Sequence, residues 1–228
     1  MLYMFDNTII LIIPVLILVF WAQSNVKGTY EKFKKIANSF NATGAEFAES
    51  ILKRNGLSHI PVIPEKGHLT DHYHPGTKEV HLSEEVYYGR SVAAISIAAH
   101  EVGHALQHAN AYYPVVLRGN LLPIANIGSR SAMPLFLIGL FLQFTQLMTL
   151  GIIFFAAALL FHLVTLPVEF NASSRAIKQL ADGYTSSPQE LSGCKKMLNA
   201  AALTYVASTL MALMQLLRMI LLRNARNR

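Results

Sequence analysis

Two histidines four residues apart enclose a glutamate in the stretch AISIAAHEVGHALQHAN, residues 94–110. On a helix, positions four apart share a face, so His100 and His104 can turn their imidazoles toward one ion. Glu101 follows His100 directly, where its carboxylate could take a proton from a water molecule at that ion. The pattern H-E-x-x-H, in a run of small and apolar residues, predicts a packed helix that carries a zinc site.

A catalytic zinc site needs a third protein ligand and one open position. His108 lies on the same helical stripe but is about 12 Å from His100 along a straight helix, too far to share one ion easily. Glu169, in LPVEFNASSRA, is the better candidate. It ends the uncharged run of residues 131–168, and a carboxylate at such a place needs a cationic partner.

Further side chains are expected around this site. Asn171 or Ser173 could hydrogen-bond a histidine ligand and fix its orientation. An electrophilic partner is also needed for the oxyanion of an acyl-transfer reaction. The sequence offers several such candidates, as oxyanion or substrate contacts, without choosing between them: His72, His81, Tyr112 and Arg175. We also expect Val80–Ser83 to form an edge strand that pairs with an extended substrate.

The composition indicates a membrane protein. Hydrophobic residues make up 53% of the 228 residues and charged residues 14%, against about 25% charged in soluble domains. The net charge is +6, but the basic residues flank apolar segments and do not form a single face or stripe. This distribution favours the lipid bilayer as a partner and disfavours nucleic acid. The single cysteine, Cys194, excludes an intrachain disulfide.

The apolar segments divide the chain into regions. About 20 apolar residues span a bilayer, so the long uncharged run predicts a transmembrane hairpin with its turn near Phe144–Leu147. Lys27, Lys32, Lys34 and Lys35 follow the first apolar segment and place the next region in the cytoplasm by the positive-inside rule. The predicted regions are an N-terminal span (1–22), a cytoplasmic metalloprotease region (23–114), the hairpin (115–168), a cytoplasmic helix with Glu169 (169–196), and a transmembrane or interfacial helix with a basic tail (197–228).

Local signals refine this picture. The stretch DHYHPGTKEVHLS, with a turn at His-Pro-Gly-Thr, predicts a short β-hairpin before the zinc helix. Gly183 and Pro188 predict a helix break. The expected fold is a mainly α membrane protein, in which about four apolar segments surround a zincin-like α+β region that contains the hairpin.

Three stretches together resemble one family. HEVGHALQH, the upstream DHYHPGTKEVHLSEEVYYGRS and the downstream PVEFNASSRA resemble the YugP-like membrane neutral zinc metallopeptidases, over nearly the whole chain. The resemblance implies a peptidase with one Zn²⁺ per chain, acting on peptides or proteins at a bacterial cell membrane. In the larger class of membrane zinc proteases with this layout, an aspartate four places after the distant glutamate supports a ligand. Ser173 occupies that position here.

Three functions stay open at this stage. The first is a zinc endopeptidase at the cytoplasmic face, with Glu101 as general base. The second is intramembrane proteolysis, which the short apolar run before His100 (residues 92–99) disfavours because it cannot span a bilayer. The third is a zinc-stabilised scaffold or a substrate-binding pseudoprotease without activity. The sequence does not indicate the oligomeric state.

Overall fold

The computed structural model describes residues 7–183 and 187–226. Within them, a short 3₁₀ helix (Asn7–Leu11) precedes seven α-helices and three strands. The helices are α1 (Ile13–Lys34), α2 (Gly44–Arg54), α3 (Glu84–Tyr87), α4 (Val92–Ala109), α5 (Tyr113–Phe141), α6 (Thr145–Ala181) and α7 (Pro188–Arg226), and the strands are β1 (Val62–Glu65), β2 (His72–His74) and β3 (Glu79–Ser83).

The chain divides into two compact units. One, here called the site unit, contains Ser24–Tyr112 and Val168–Leu203. The other, here called the apolar unit, contains the rest of the described chain, with Tyr113–Pro167 as its longest segment. Helices α1, α6 and α7 each contribute residues to both units, and the boundary predicted between residues 196 and 197 falls inside the continuous helix α7.

Four of the described helices are long and apolar enough to cross a membrane: α1 with the 3₁₀ helix before it, α5, α6 and α7. Large apolar side chains on their surfaces face outward, as at Ile127, Phe141 and Ile153, which suits a lipid surrounding. This confirms the expectation of about four apolar segments. The predicted span over residues 1–22 overlaps the apolar helical segment Thr8–Lys34, which extends further toward the C-terminus, and residues 1–6 lie outside the described part.

Helices α5 and α6 form the predicted hairpin in the apolar unit. The turn covers residues 142–144, slightly before the predicted position, with Gln143 at a positive φ of 58°. Small residues let the two helices approach closely. A Cβ at Gly128 would lie 2.6 Å from the carbonyl oxygen of Phe154, and one at Gly151 would lie 2.7 Å from that of Ala132. Such contacts between small residues are typical of helix pairs in membranes.

The core of the site unit is built on α4. Its apolar side chains pack with those of α2 and the sheet, including Ile51, Val80, Leu82 and Val102, all fully buried. Helix α2 begins with a capping box, in which Thr43 and Glu46 each bond the backbone N–H of the other. The predicted helix break is present, because α6 ends at Ala181 and α7 begins at Pro188.

The sheet has three strands in the order β1-β3-β2. Strands β2 and β3 form the predicted antiparallel hairpin, in which His72 pairs with His81. Strand β1 adds a parallel partner, with Val62 opposite Val80, and was not predicted. Strand β3 is the central strand, paired with β1 along Val80–Ser83 and with β2 along Glu79–His81. The expectation that Val80–Ser83 forms an edge strand for substrate is therefore wrong.

Candidate metal centre

Two imidazoles project from one face of α4. The helix starts after Ser91, whose hydroxyl accepts a hydrogen bond from the N–H of Ala94. One turn separates His100 from His104, and their ring centroids lie 4.8 Å apart at 86°. Each side chain is 14% exposed. The two rings are therefore mostly buried but remain accessible to solvent.

The carboxylate of Glu169 meets both rings. Its Oε2 lies 3.3 Å from Nε2 of His100 and 3.5 Å from Nε2 of His104, and its side chain is 3% exposed. Ligands at about 2.0–2.1 Å from a tetrahedral zinc lie about 3.3 Å from one another. Two imidazole nitrogens and one carboxylate oxygen also form a donor set that suits zinc. The three side chains predicted as ligands therefore fit the ion in spacing and chemistry.

A glycine inside the motif brings the second helix close enough. A Cβ at Gly103 would lie 2.6 Å from the carbonyl oxygen of Ala172, a backbone atom of α6. Any larger residue would push α6 away from α4. Since Ala172 is less than one turn from Glu169, this contact fixes how near the carboxylate comes to the two histidines.

Ser173 supports His100 from the outer side. Its hydroxyl lies 3.2 Å from Nδ1 of His100, while Nε2 of the same ring faces Glu169. A hydroxyl that accepts the Nδ1 proton selects the tautomer whose Nε2 lone pair points into the site. Ser173, one of the two predicted hydrogen-bonding partners of a histidine ligand, therefore lies where it can hold the His100 ring.

Gln107 supports His104 in the same way. Nδ1 of His104 lies 3.0 Å from the Gln107 side-chain oxygen, and the Gln107 amide donates to the carbonyl of Val168 and to the Asn171 side chain. Arg175 donates to the same Asn171 oxygen at 2.8 Å. Gln107 is fully buried. Sequence reasoning did not assign it a role, although a glutamine in a buried apolar helix, three places after a ligand, was a usable signal.

The electrostatics of the site favour positive charge. Burial lowers the pKa of His104, but the hydrogen bond to Glu169 and the charges of Glu101 and Glu169 together raise it above its usual value. Glu101 itself is 8% exposed. Burial, and then the charge of Glu101, raise the pKa of Asp71, which accepts hydrogen bonds from Ser83. A cation bound here would therefore compensate the negative charges of Glu101 and Glu169.

Residues 8–224 match the model of the family described as "Putative neutral zinc metallopeptidase". The chain belongs to this family. It is 52% identical over 216 residues to "Putative membrane protease YugP" of Bacillus subtilis (strain 168), which covers 94% of this chain and 95% of that protein. No solved structure matches the chain.

A zinc metallopeptidase family agrees with the donor set of two imidazoles and one carboxylate. The residues predicted as oxyanion or substrate contacts lie in two places. Tyr112 and Arg175 lie together, with the guanidinium 5.9 Å from the ring centroid, and Arg175 joins the Asn171 network. His72 and His81 instead pair on the sheet. His108 bonds the hydroxyl of Tyr73 at 2.8 Å, as suits a residue that is not a ligand.

Proposed function

We propose that this chain is a membrane-bound, zinc-dependent metalloendopeptidase. The observation that carries the proposal is the convergence of His100, His104 and Glu169 at zinc-ligand spacing, with Glu101 next to the first ligand. Membership in a zinc metallopeptidase family and the likeness to a membrane protease support it.

In the proposed mechanism, His100, His104 and Glu169 would hold the ion. When bound, zinc supplies Lewis acidity, which makes a water molecule more acidic and polarises the scissile carbonyl. Glu101 takes the proton of the attacking water and passes it to the leaving amine. Because Glu101 is buried, little bulk water can compete with the substrate for this proton. Ser173 and Gln107 hold the histidine rings in orientation.

Tyr112 and Arg175 are proposed to contact the oxyanion or the substrate. Arg175 is fixed by Asn171, so its guanidinium charge is preorganised and needs little rearrangement during reaction. The Tyr112 ring against the guanidinium limits its motion further. Replacing Arg175 with lysine should lower kcat more than it raises KM; unchanged kcat would remove Arg175 from this role.

The site is proposed to lie outside the bilayer, on the cytoplasmic side. Helix α4 is not among the four long apolar helices, which favours this arrangement over intramembrane proteolysis. The lysines after the first apolar segment favour the cytoplasm. A cysteine introduced at exposed Lys66 should react with an impermeant thiol reagent only after the cell membrane is opened. Reaction in intact cells would reverse the proposed orientation.

Glu101→Gln tests the catalytic step. The amide has the shape of the carboxylate but cannot accept the proton, so hydrolysis of a disordered peptide mixture should fall about 10²–10⁴-fold while zinc content stays the same. Glu49→Gln, at an exposed position of α2, is the matched control and should leave both unchanged. Retained hydrolysis in Glu101→Gln would exclude Glu101 as the base. Zinc bound without any chelator-sensitive hydrolysis in the wild type would favour the scaffold function.

Glu169→Ala tests the ligand set. Zinc content per chain, measured by elemental analysis on detergent-purified protein, should fall strongly relative to the wild type, because two imidazoles alone hold the ion weakly. Zinc retained at the wild-type level would mean that the third ligand lies elsewhere.

A further inference from the structure

The outer face of the three-stranded sheet carries a second set of metal-ligand side chains. Side chains alternate between the two faces of a strand. Val80 and Leu82 are fully buried in the core with α4, so His81 between them projects to the opposite face. His72 is its cross-strand partner and lies on the same face. Glu65, at the end of β1, completes the group.

The donor atoms of this group lie at ligand spacing. Oε2 of Glu65 is 3.3 Å from Nδ1 of His72 and 3.8 Å from Nδ1 of His81. Nitrogen and oxygen ligands at about 2.0–2.2 Å from a tetrahedral ion lie about 3.3–3.6 Å apart, so the first separation matches such a site and the second is slightly longer; all the ligand atoms lie within 4.8 Å of one another. The three residues come from three strands, so the backbone pairing of β1, β3 and β2 sets the spacing.

Two observations indicate a cation here. Oε2 of Glu65 is buried and accepts no hydrogen bond from the residues that the structure describes, and a buried charged oxygen without a donor is unfavourable. On the far side of the His81 ring, Nε2 lies 3.3 Å from Oε2 of Glu79. A carboxylate on the nitrogen that does not face the site is the arrangement that orients histidine ligands in metal proteins.

Binding an ion would require a small rearrangement of His72. Its ring stacks on that of His81, with centroids 4.7 Å apart and an angle of 4°, and its Nδ1 lies 2.9 Å from the carbonyl of Thr70. The ring must turn about its side-chain bonds and release the Nδ1 proton before that nitrogen can ligate. The His72 side chain is 44% exposed, so solvent leaves room for this turn. The rearrangement predicts a weaker site than one whose rings are already oriented.

We propose that Glu65, His72 and His81 form a second binding site for a divalent transition-metal ion, with zinc as the first candidate and Glu79 as the orienting partner of His81. Two imidazoles and a carboxylate suit zinc, cobalt, nickel and copper better than magnesium or calcium. The half-exposed side chains leave coordination positions for water. The ion would link all three strands, and it would be additional to the ion proposed at His100, His104 and Glu169.

The test uses the untagged full chain in detergent, cleared of loosely bound metal and titrated with Zn²⁺ against a chromophoric chelator. The wild type should bind two equivalents, one tight and one weaker. Glu65→Gln and His81→Ala should each weaken the weaker equivalent by more than about 100-fold, and Glu79→Gln by about 10–100-fold, while the tight equivalent stays. His59→Ala, at an exposed histidine away from strands and helices, should change neither.

The outcomes are separable. Circular dichroism shows whether each variant is folded, and the isosteric Glu65→Gln guards against misfolding of His81→Ala. A single equivalent in the wild type that Glu65→Gln leaves unchanged, or a weaker equivalent that survives in both Glu65→Gln and His81→Ala, would overturn the second site. A single equivalent in the wild type that Glu65→Gln removes would count against the ligands of the proposed peptidase and leave the sheet site standing.

Discussion

Two clusters in the site unit contain the same donors, two imidazoles and one carboxylate, yet they differ in how those donors are held. In the helical cluster of His100, His104 and Glu169, the carboxylate side chain is 3% exposed, whereas that of Glu65 in the sheet cluster is 38% exposed. Both helical histidines have a polar partner on Nδ1. In the sheet cluster, Nδ1 of His72 is itself the atom that faces the carboxylate, and it is already hydrogen-bonded to a backbone carbonyl.

From this difference we infer that ligand identity alone does not set metal affinity. Preorganisation contributes much of the affinity, because each ring that is already in the right tautomer and orientation loses less freedom when the metal binds. The helical cluster has its rings fixed by Ser173 and Gln107 before any ion arrives. The sheet cluster has one ring fixed, by Glu79, and one that must move. We therefore expect one tight and one weak site.

Graded chelation should give the largest effect. With increasing chelator, the ion of the sheet cluster should be lost at a concentration at least about 100-fold lower than the ion of the helical cluster, because oriented rings are worth about 10–100-fold each. Peptide hydrolysis should follow the second loss. Release of both ions at one concentration would show that orientation does not separate the two clusters.

Gly103→Ala should disrupt the helical cluster through the backbone. The added methyl group meets the carbonyl of Ala172, which is not a flexible side chain, so overpacking should lower the free energy of unfolding by about 1–3 kcal/mol and reduce zinc content. Gly28→Ala is the control, since nothing lies within 4 Å of its added Cβ. Chemical unfolding with zinc analysis measures both. A Gly103→Ala protein with full stability and zinc would refute the role of this close approach.

Gln107→Leu should weaken zinc binding without removing a ligand. The apolar side chain fills the volume but leaves Nδ1 of His104 without its partner and removes the side-chain donor to the carbonyl of Val168, so affinity should fall about 10–100-fold. Gln179→Leu, at a glutamine that pairs with Asn55 near the surface, is the matched control. Equal zinc affinity in the two variants would make Gln107 a packing residue only.

Ser173→Ala should have the smallest effect. It removes one neutral acceptor, at 3.2 Å from Nδ1 of His100, and leaves every ligand in place, so zinc affinity should fall by about tenfold. The neighbouring Ser174→Ala changes an exposed hydroxyl and should leave the affinity as it is. A larger loss than in Gln107→Leu would reverse the order of the two supports.

The sequence predicted the helical cluster because its geometry is local. Positions four apart on a helix share a face wherever the helix lies, so His100 and His104 needed no tertiary information. Glu169 could be assigned from its surroundings, because a carboxylate ending a long uncharged run calls for a partner. Ser173 was one of two candidates for a hydrogen bond to a histidine ligand; Asn171, the other, instead bonds Gln107 and Arg175. The four apolar segments and the hairpin turn likewise depend on properties of short windows.

Other features depend on contacts between distant parts of the chain. The two prolines of IPVIPE, Pro61 and Pro64, hid β1, since proline is disfavoured in strands except at edges, and β1 is such an edge. Its parallel pairing also made β3 central, which removed the predicted substrate edge. The supporting role of Gln107 and the close approach at Gly103 appear only when α6 packs on α4. The sheet cluster likewise needs three strands in register.

The lone cysteine gives the molecule a built-in reporter. Cys194 lies on α7 in the core of the site unit and is fully buried, so a thiol reagent can reach it only when that core opens. The rate of labelling therefore measures local opening directly, and the chain needs no engineered cysteine for this purpose. If a bound ion stabilises the core, labelling of Cys194 should be slower with the ion bound and faster after the ion leaves. The labelling rate would then follow the kinetics of metal loss, whereas metal analysis gives only the amount bound.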